Sequence, residues 1–204
     1  MADYIREKLA KNDIYLDREL GVGSQGRVFS LKNNNHVIKI TRDISEAEAA
    51  CVIKVHPHKN IVNFYKIWMY KYIPNYYFIE QEMLDGLGNE KSLVSRTLEY
   101  EINREKSLKG CFNEFSIYKK DIKKILEDKF VPQENIILKK ELHFIQNMYD
   151  AASWLEKHNI VFKDFWTENI TKKGNDFVLI DLGYSESPGN IEDIRETMKL
   201  KEVL

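Results

Sequence analysis

The stretch VFKDFWTENITKKGNDFVLIDLG, residues 161–183, places polar side chains before a turn and an acid after an apolar run. Asp164 and Asn169 are five positions apart in a segment that we expect to be a loop. After the turn, the apolar residues 177–180 predict a buried strand that ends on Asp181. An acid at the end of a strand can hold a metal ion, and the loop residues can hold a substrate hydroxyl and a second metal ion. Phosphoryl transfer needs this combination of positioning and charge neutralisation.

A glycine pattern lies near the start of the chain. Gly21, Gly23 and Gly26 have the spacing G-x-G-x-x-G. A dinucleotide-binding fingerprint would continue into a helix, whereas here the apolar runs 28–31 and 37–40 flank a polar turn and predict two strands. Glycines at the tip of a hairpin let backbone N–H groups approach phosphate oxygens, because no Cβ stands in the way. The alternative is a plain glycine hairpin.

One lysine interrupts the second of these strands. Lys39 either reaches solvent along its aliphatic stem or meets an anion. The segment that follows predicts a helix, with Asp43 or Ser45 as its N-cap and Glu46 or Glu48 three residues later. Glu48 therefore has two interpretations, as a helix-capping residue or as an ion-pair partner of Lys39.

Aromatic and β-branched residues predict further strands, and apolar stripes at helical spacing predict helices. The polar segment 87–110 looks like an insertion, in which the alternation at 97–103 predicts an extra strand. The remaining predicted elements are strands at 60–70 and 76–80, joined by a turn at Pro74 and Asn75, and helices at 2–10, 113–129, 136–158 and 191–203.

Bulk properties exclude several functional classes. A chain of 204 residues fits one compact domain or two small lobes. A net charge of −1 argues against nucleic-acid binding. We expect no membrane span, because no apolar run is long enough, and no secretory signal, because the first residues are mixed in charge. Two cysteines, Cys51 and Cys111, cannot form a disulfide framework, which fits a reducing cytoplasmic compartment.

In their order and spacing, these motifs resemble those of the eukaryotic-type protein kinases. The resemblance covers roughly residues 15–186 apart from the insertion, and its motifs are the glycine-rich loop, Val37-Ile38-Lys39, HPHKNIV at 56–62, Asp164 with Asn169, and Asp181-Leu182-Gly183. It implies an α+β, protein-kinase-like bilobal fold. A small β-rich N-lobe would occupy 1–84, an insertion next to the hinge 85–112, and a reduced, mostly helical C-lobe 113–204.

The resemblance also assigns catalytic roles. Asp164 would accept or orient the proton of the substrate hydroxyl, and Asn169 and Asp181 would hold Mg²⁺. Lys39 would pair with the phosphates of ATP. The register of the helix before HPHKNIV selects Glu48, rather than Glu46, as the residue that aims Lys39.

The nucleotide would lie between the glycine-rich loop and a hinge, with Gln81 at the gatekeeper position. Val37 would cover the adenine, and the backbone of 82–84 would bond its edge. The residues that would contact ATP are Gly21, Val22, Gly23, Ser24, Gly26, Val28, Val37, Lys39, Glu82 and Leu84.

The chain departs from the kinase pattern in three places. Phe162-Lys163-Asp164 replaces H-R-D, and Phe162 could join Val52 and Leu182 in an apolar spine. Trp166 stands where Ser/Thr kinases have a lysine that stabilises the transferring phosphoryl group. Loss of one such cation would cost on the order of 10²-fold in rate. No A-P-E follows the metal loop, so we expect no full activation segment.

Compact kinases of this kind resemble bacterial effector kinases and viral minimal kinases. The expected function is that of a minimal ATP- and Mg²⁺-dependent protein Ser/Thr kinase in the cytoplasm, or in the host cytosol for an effector or viral protein. A protein would be its substrate, and a protein partner could complete the truncated C-lobe. Two alternatives stay open: a pseudokinase that serves as a partner-binding module, and a small-molecule kinase.

Overall fold

The computed structural model describes residues 2–32, 35–71, 73–104, 136–162, 166–183 and 197–201. The chain divides into two compact units, each with helices and strands. The sheet unit consists of Met1–Pro57, Asn63–Met83 and Pro188–Leu204, and the helical unit consists of His58–Val62 and Leu84–Ser187. In the described part of the chain, no helix is both long enough and apolar enough to cross a membrane.

A six-stranded sheet forms the sheet unit, in the strand order β1-β2-β3-β5-β4-β8. Neighbours among the first five strands are antiparallel, and β8 joins the edge of β4 in parallel. The two strands predicted after the glycines are confirmed. The strands are β1 (Leu16–Val22), β2 (Gly26–Leu31), β3 (His36–Thr41), β4 (Phe64–Tyr70), β5 (Ile73–Glu82) and β8 (Met198–Lys201).

Two predictions about this sheet are wrong. The helix expected over 191–203 does not hold at Met198–Lys201, which forms β8 because the backbone of β4 offers it an unpaired edge. The turn expected at Pro74 and Asn75 falls inside β5, where the pairing with β4 shifts register. Asn75 absorbs this irregularity with φ 66°, a left-handed conformation that asparagine tolerates.

A helix covers each face of the sheet. Helix α1 (Ala2–Ala10), as predicted, buries Ile5 and Leu9, which are four residues apart and so share one side of the helix. They join a core cluster that contains Ile38 and Ile40 of β3. Lys39 lies between these two and faces the other way, towards helix α2 (Ile44–Val55).

The helical unit contains two long helices and a hairpin. Helix α3 (Lys91–Arg104) replaces the extra strand expected at 97–103, so that prediction is wrong. Leu93, Val94 and Thr97 of α3 are buried at helical spacing, and Thr97 Oγ1 donates to the Leu93 carbonyl at 2.9 Å. Helix α4 (Ile136–Lys157) confirms the helix expected at 136–158. The helix expected at 113–129 lies outside the described residues.

Strands β6 (Ile170–Lys173) and β7 (Asp176–Leu179) form a hairpin in the 161–183 stretch, and β7 confirms the strand predicted after the turn. Helix α4 supports it through Asn147, whose Oδ1 accepts the Phe177 N–H at 2.7 Å, and through Phe144, whose ring packs edge-on against Phe177. Asn60 Nδ2 donates to the carbonyl of the same residue, Phe177, at 3.0 Å. Buried polar contacts from α4 and from Asn60 thus hold the edge of β7 that does not pair with β6.

Candidate functional site

Lys39 and Glu46 form a buried ion pair on one face of the sheet unit. The Nζ of Lys39 lies 2.5 Å from Oε1 of Glu46, and the two side chains are 10% and 4% exposed. Asp43 caps α2 and accepts the Ser45 N–H at 2.9 Å, which fixes where the helix begins and therefore where Glu46 projects. The structure therefore holds the strand lysine in place by a carboxylate of the following helix.

The expected pairing of Lys39 with Glu48 is wrong. Residues 46 and 48 are about 200° apart around a helix, so only one of them can face the sheet. Glu46 faces Lys39 and is 3% exposed. Glu48 is only partly buried. That burial and, to a lesser extent, the nearby Asp43 carboxylate raise the pKa of Glu48.

The glycine hairpin joins β1 and β2 beside β3. Residues 21–25 are exposed, and they include the predicted ligand contacts Val22 and Ser24. The Gly23 N–H donates to the Gly26 carbonyl at 2.8 Å, so this donor serves the hairpin itself. A Cβ on Gly26 would lie 2.4 Å from the Ile40 carbonyl oxygen, whereas one on Gly21 would meet nothing within 4 Å. The close approach of β3 therefore requires a glycine at position 26, whereas the space next to Gly21 is open.

The side chains predicted to cover a nucleotide base share a sheet face with Lys39. Val28 of β2 pairs directly with Lys39, and Val37 is two residues before it on β3. Residues opposite one another in a sheet, and residues two apart along a strand, point to the same face. The structure therefore brings Val28, Val37 and Lys39 together as one partly apolar surface with a cation at its end.

Internal hydrogen bonds reduce the number of backbone N–H groups in the predicted hinge that could bond a nucleotide base. The N–H of Glu82 donates to the Asn63 carbonyl at 2.9 Å, and the N–H of Met83 donates to the Asn35 carbonyl at 3.1 Å. Asn63 Nδ2 also donates to the Glu82 carboxylate at 3.0 Å. Two of the three predicted N–H donors are thus already used. The third donor, the N–H of Leu84, has no hydrogen-bond partner among the described residues.

Asn169 and Asp181 meet at the open end of the β6–β7 hairpin. The N–H of Ile180 donates to the Asn169 carbonyl at 3.0 Å, so the residue before Asp181 is bonded directly to Asn169. Asp181 Oδ1 accepts the Gly183 N–H at 2.9 Å, which orients its carboxylate. Carboxylate and amide oxygens are suitable Mg²⁺ ligands. These two residues therefore fit the predicted metal site.

The described residues around the predicted catalytic loop differ in how far they are buried. Asp164, the predicted base, lies outside the described residues. Phe162 and Leu182 are each almost fully buried. Trp166 is 57% exposed, and its carbonyl accepts the Asn169 N–H at 3.0 Å. Asn169 is thus bonded through its backbone to a residue with an exposed indole, at the position where the resemblance to kinases predicts a cation.

Sequence reasoning did not identify every residue that shapes this site. It assigned no role to Asn63, although this residue fixes both the backbone and the side chain of Glu82. It also considered Glu46 and set it aside in favour of Glu48, although the three-residue distance from the Asp43 cap to Glu46 could have indicated the correct partner.

In the described part of the chain, no cluster of three or more His, Cys, Asp and Glu residues is arranged to hold a metal ion.

Comparisons with known proteins support the fold alone. No family model and no curated protein matches the sequence. Among solved structures, 518 chains match, and one of them is the PK-1 kinase of Cydia pomonella granulovirus. That match has a TM-score of 0.53 and 15% identity, and it covers 91% of this chain but only 58% of the viral kinase. The chain therefore has a kinase-like α+β fold and spans less than two thirds of that protein's length.

Proposed function

We propose that this protein is a minimal ATP- and Mg²⁺-dependent phosphotransferase whose acceptors are serine and threonine hydroxyls of a protein. The observation that carries the proposal is the buried pair of Lys39 and Glu46. Burying two charges costs several kcal/mol per ion before their attraction is counted. A cation fixed in this way, on the same face as Val28 and Val37 and one strand from a glycine hairpin, suits the phosphates of a nucleotide.

Each unit contributes its own residues to this proposal. In the sheet unit, Lys39 would pair with phosphate oxygens while Glu46 holds the ammonium group in place, and Val28 and Val37 would cover the base. In the helical unit, Asn169 and Asp181 would hold Mg²⁺, which neutralises phosphate charge when bound. Asp164 keeps its proposed role as the acceptor of the hydroxyl proton.

One observation favours a second candidate function. Trp166 is 57% exposed at the position where the resemblance expects a catalytic cation. An indole cannot stabilise the negative charge of a transferring phosphoryl group as a lysine does. This favours a pseudokinase that binds a nucleotide or a protein partner without transferring phosphate.

Phosphate transfer from radiolabelled ATP tests both candidates. Purified protein is incubated with Mg²⁺ and a generic protein acceptor, and Lys39→Met is compared with Lys54→Met, which removes an exposed lysine of α2. We expect Lys39→Met to lose roughly 10²-fold or more of the activity and Lys54→Met to keep it.

Two outcomes contradict the proposal. Equal labelling by wild type and Lys39→Met would mean that the lysine takes no part in the transfer. No labelling, together with a Mg²⁺-dependent rise in melting temperature on addition of ATP, would support the pseudokinase.

A further inference from the structure

Gln81 carries a buried polar atom that the fold does not use. Its side chain is 7% exposed, and its Oε1 is buried with no hydrogen-bond partner among the described residues. Its direct neighbours across the sheet are Val37 on β3 and Phe64 on β4, and both are apolar. Leaving a buried acceptor without a donor destabilises the folded state. Such atoms in a folded protein call for an explanation, and one explanation is a ligand.

The position of Gln81 indicates which ligand this is. Ile79 pairs with Lys39, and Gln81 pairs with Val37, so Gln81 lies on the same sheet face as both Val37 and Lys39. It is two residues farther along β5 than Ile79, or roughly 7 Å. The face therefore runs from a cation, past an apolar surface, to a carboxamide. A nucleotide with its phosphates at the cation would place its base towards the carboxamide.

We propose that the Gln81 carboxamide reads the exocyclic group at position 6 of a purine base. Its buried oxygen accepts a hydrogen bond from the 6-amino group of adenine, and this contact satisfies the acceptor that the fold leaves unpaired. The inference rests on the proposed nucleotide-binding function and adds base selection to it. Gln81 is then a specificity-determining residue, and Lys39 and the metal site act independently of it.

The consequence is a preference that depends on one group of the ligand. Purine riboside triphosphate lacks only the 6-amino group of ATP and keeps the ring nitrogens and the phosphates. When this analogue binds wild-type protein, the Gln81 oxygen stays buried and unpaired. The methionine of Gln81→Met has a similar length and no polar oxygen. The affinities of this variant for the two nucleotides therefore differ much less.

Equilibrium binding of ATP and of purine riboside triphosphate, each with Mg²⁺, tests this inference. We expect wild type to bind ATP about tenfold more tightly than the analogue, which corresponds to the net value of one well-placed hydrogen bond. In Gln81→Met this ratio should fall several-fold. Phe64→Leu is the matched control, because it alters the apolar neighbour of Gln81 without removing the amide. Phe64→Leu should weaken the binding of both nucleotides equally and leave the ratio of their affinities unchanged.

Stability provides a second measurement. If Gln81 serves a ligand rather than the fold, replacing it with methionine should leave urea unfolding of the ligand-free protein unchanged or shift it to higher urea, because a buried unpaired oxygen is removed. A clear loss of stability, with an unchanged nucleotide ratio, would overturn the inference and assign Gln81 a structural role.

The remaining outcomes separate this inference from the proposed function. If wild type binds both nucleotides and the ratio is the same in Gln81→Met, base reading by Gln81 is wrong, while nucleotide binding stands. If wild type binds neither nucleotide, the proposed function fails and base reading fails with it.

Discussion

The ion pair between Lys39 and Glu46 shows how one residue can depend on the start of a helix. Lys39 lies between Ile38 and Ile40, both buried, and its ammonium group must find an acceptor close to the sheet. Asp43 caps α2 three residues before Glu46, and this spacing turns Glu46 towards the sheet. The cap therefore decides which of two nearby glutamates becomes the partner.

Glutamine substitutions at the two glutamates should have opposite consequences. Glu46→Gln should lower phosphate transfer by about 10²-fold, since Lys39 loses the group that positions it, and should destabilise the protein by about 3–5 kcal/mol. Glu48→Gln should change activity little and stability by less than about 0.5 kcal/mol. Because folding raises the pKa of Glu48, the folded state gains nothing from its charge at neutral pH. Initial rates and urea unfolding of both variants measure these effects.

An equal loss of activity in both variants would show that Glu48 also contributes to the site. Loss in Glu48→Gln alone would restore the sequence-based pairing and contradict the structure.

The glycine hairpin combines two different requirements in a single element. Gly26 begins β2, and its Cα lies so close to the β3 backbone that any side chain would overlap with the Ile40 carbonyl. Gly21 is the next-to-last residue of β1, and a methyl group there would meet no protein atom within 4 Å. The spacing G-x-G-x-x-G alone does not distinguish the glycine that the sheet needs from the glycine that leaves room for a ligand.

Alanine at these two positions separates the requirements. Gly26→Ala should destabilise the protein by about 1–3 kcal/mol, since backbone must move to accept the methyl group. Gly21→Ala should unfold at nearly the same urea concentration as wild type. If the open space receives phosphate, Gly21→Ala should still weaken ATP binding. Equal stability of the two variants in urea unfolding would contradict the close approach at Gly26.

At the scale of the whole molecule, a segment near residue 200 adds a strand to the sheet that the first 82 residues form. Met198–Lys201 pairs in parallel with β4, so the edge strand of the five-stranded antiparallel sheet is covered by a segment that follows the metal-binding candidate Asp181 in sequence. Uncovered edges pair readily with other chains. Strand β8 therefore replaces the seven-residue edge of β4 with an edge strand of only four residues.

A chain that stops at residue 196 should expose the β4 edge. We expect it to lose about 1–3 kcal/mol of stability, the value of a few backbone hydrogen bonds, and to self-associate as concentration rises. Urea unfolding and sedimentation at two or more concentrations measure both effects, with full-length protein as the control. A truncated chain that stays monomeric and equally stable would mean that β8 contributes nothing to the sheet.

Short-range patterns in the sequence determined most of the elements of this protein. The glycine hairpin, α1, α2, α4 and the β6–β7 hairpin follow from local periodicity, caps and turn residues, and the structure confirms them. The proximity of Asn169 and Asp181 follows from the hairpin itself. The role of Asp164 and the helix at 113–129 stay predictions, because both lie outside the described residues.

Only the tertiary structure decided the partner of Lys39, the helix at Lys91–Arg104 and the strand at Met198–Lys201. The helix and the strand depend on surfaces that are distant in sequence, namely the neighbouring elements that bury Leu93, Val94 and Thr97, and the open edge of β4. The partner of Lys39 depends on the side that α2 turns towards the preceding strand, β3. Local propensity is weak compared with burial and with the pairing of backbone groups. Where several local structures satisfy one pattern, the surface that the segment meets selects among them.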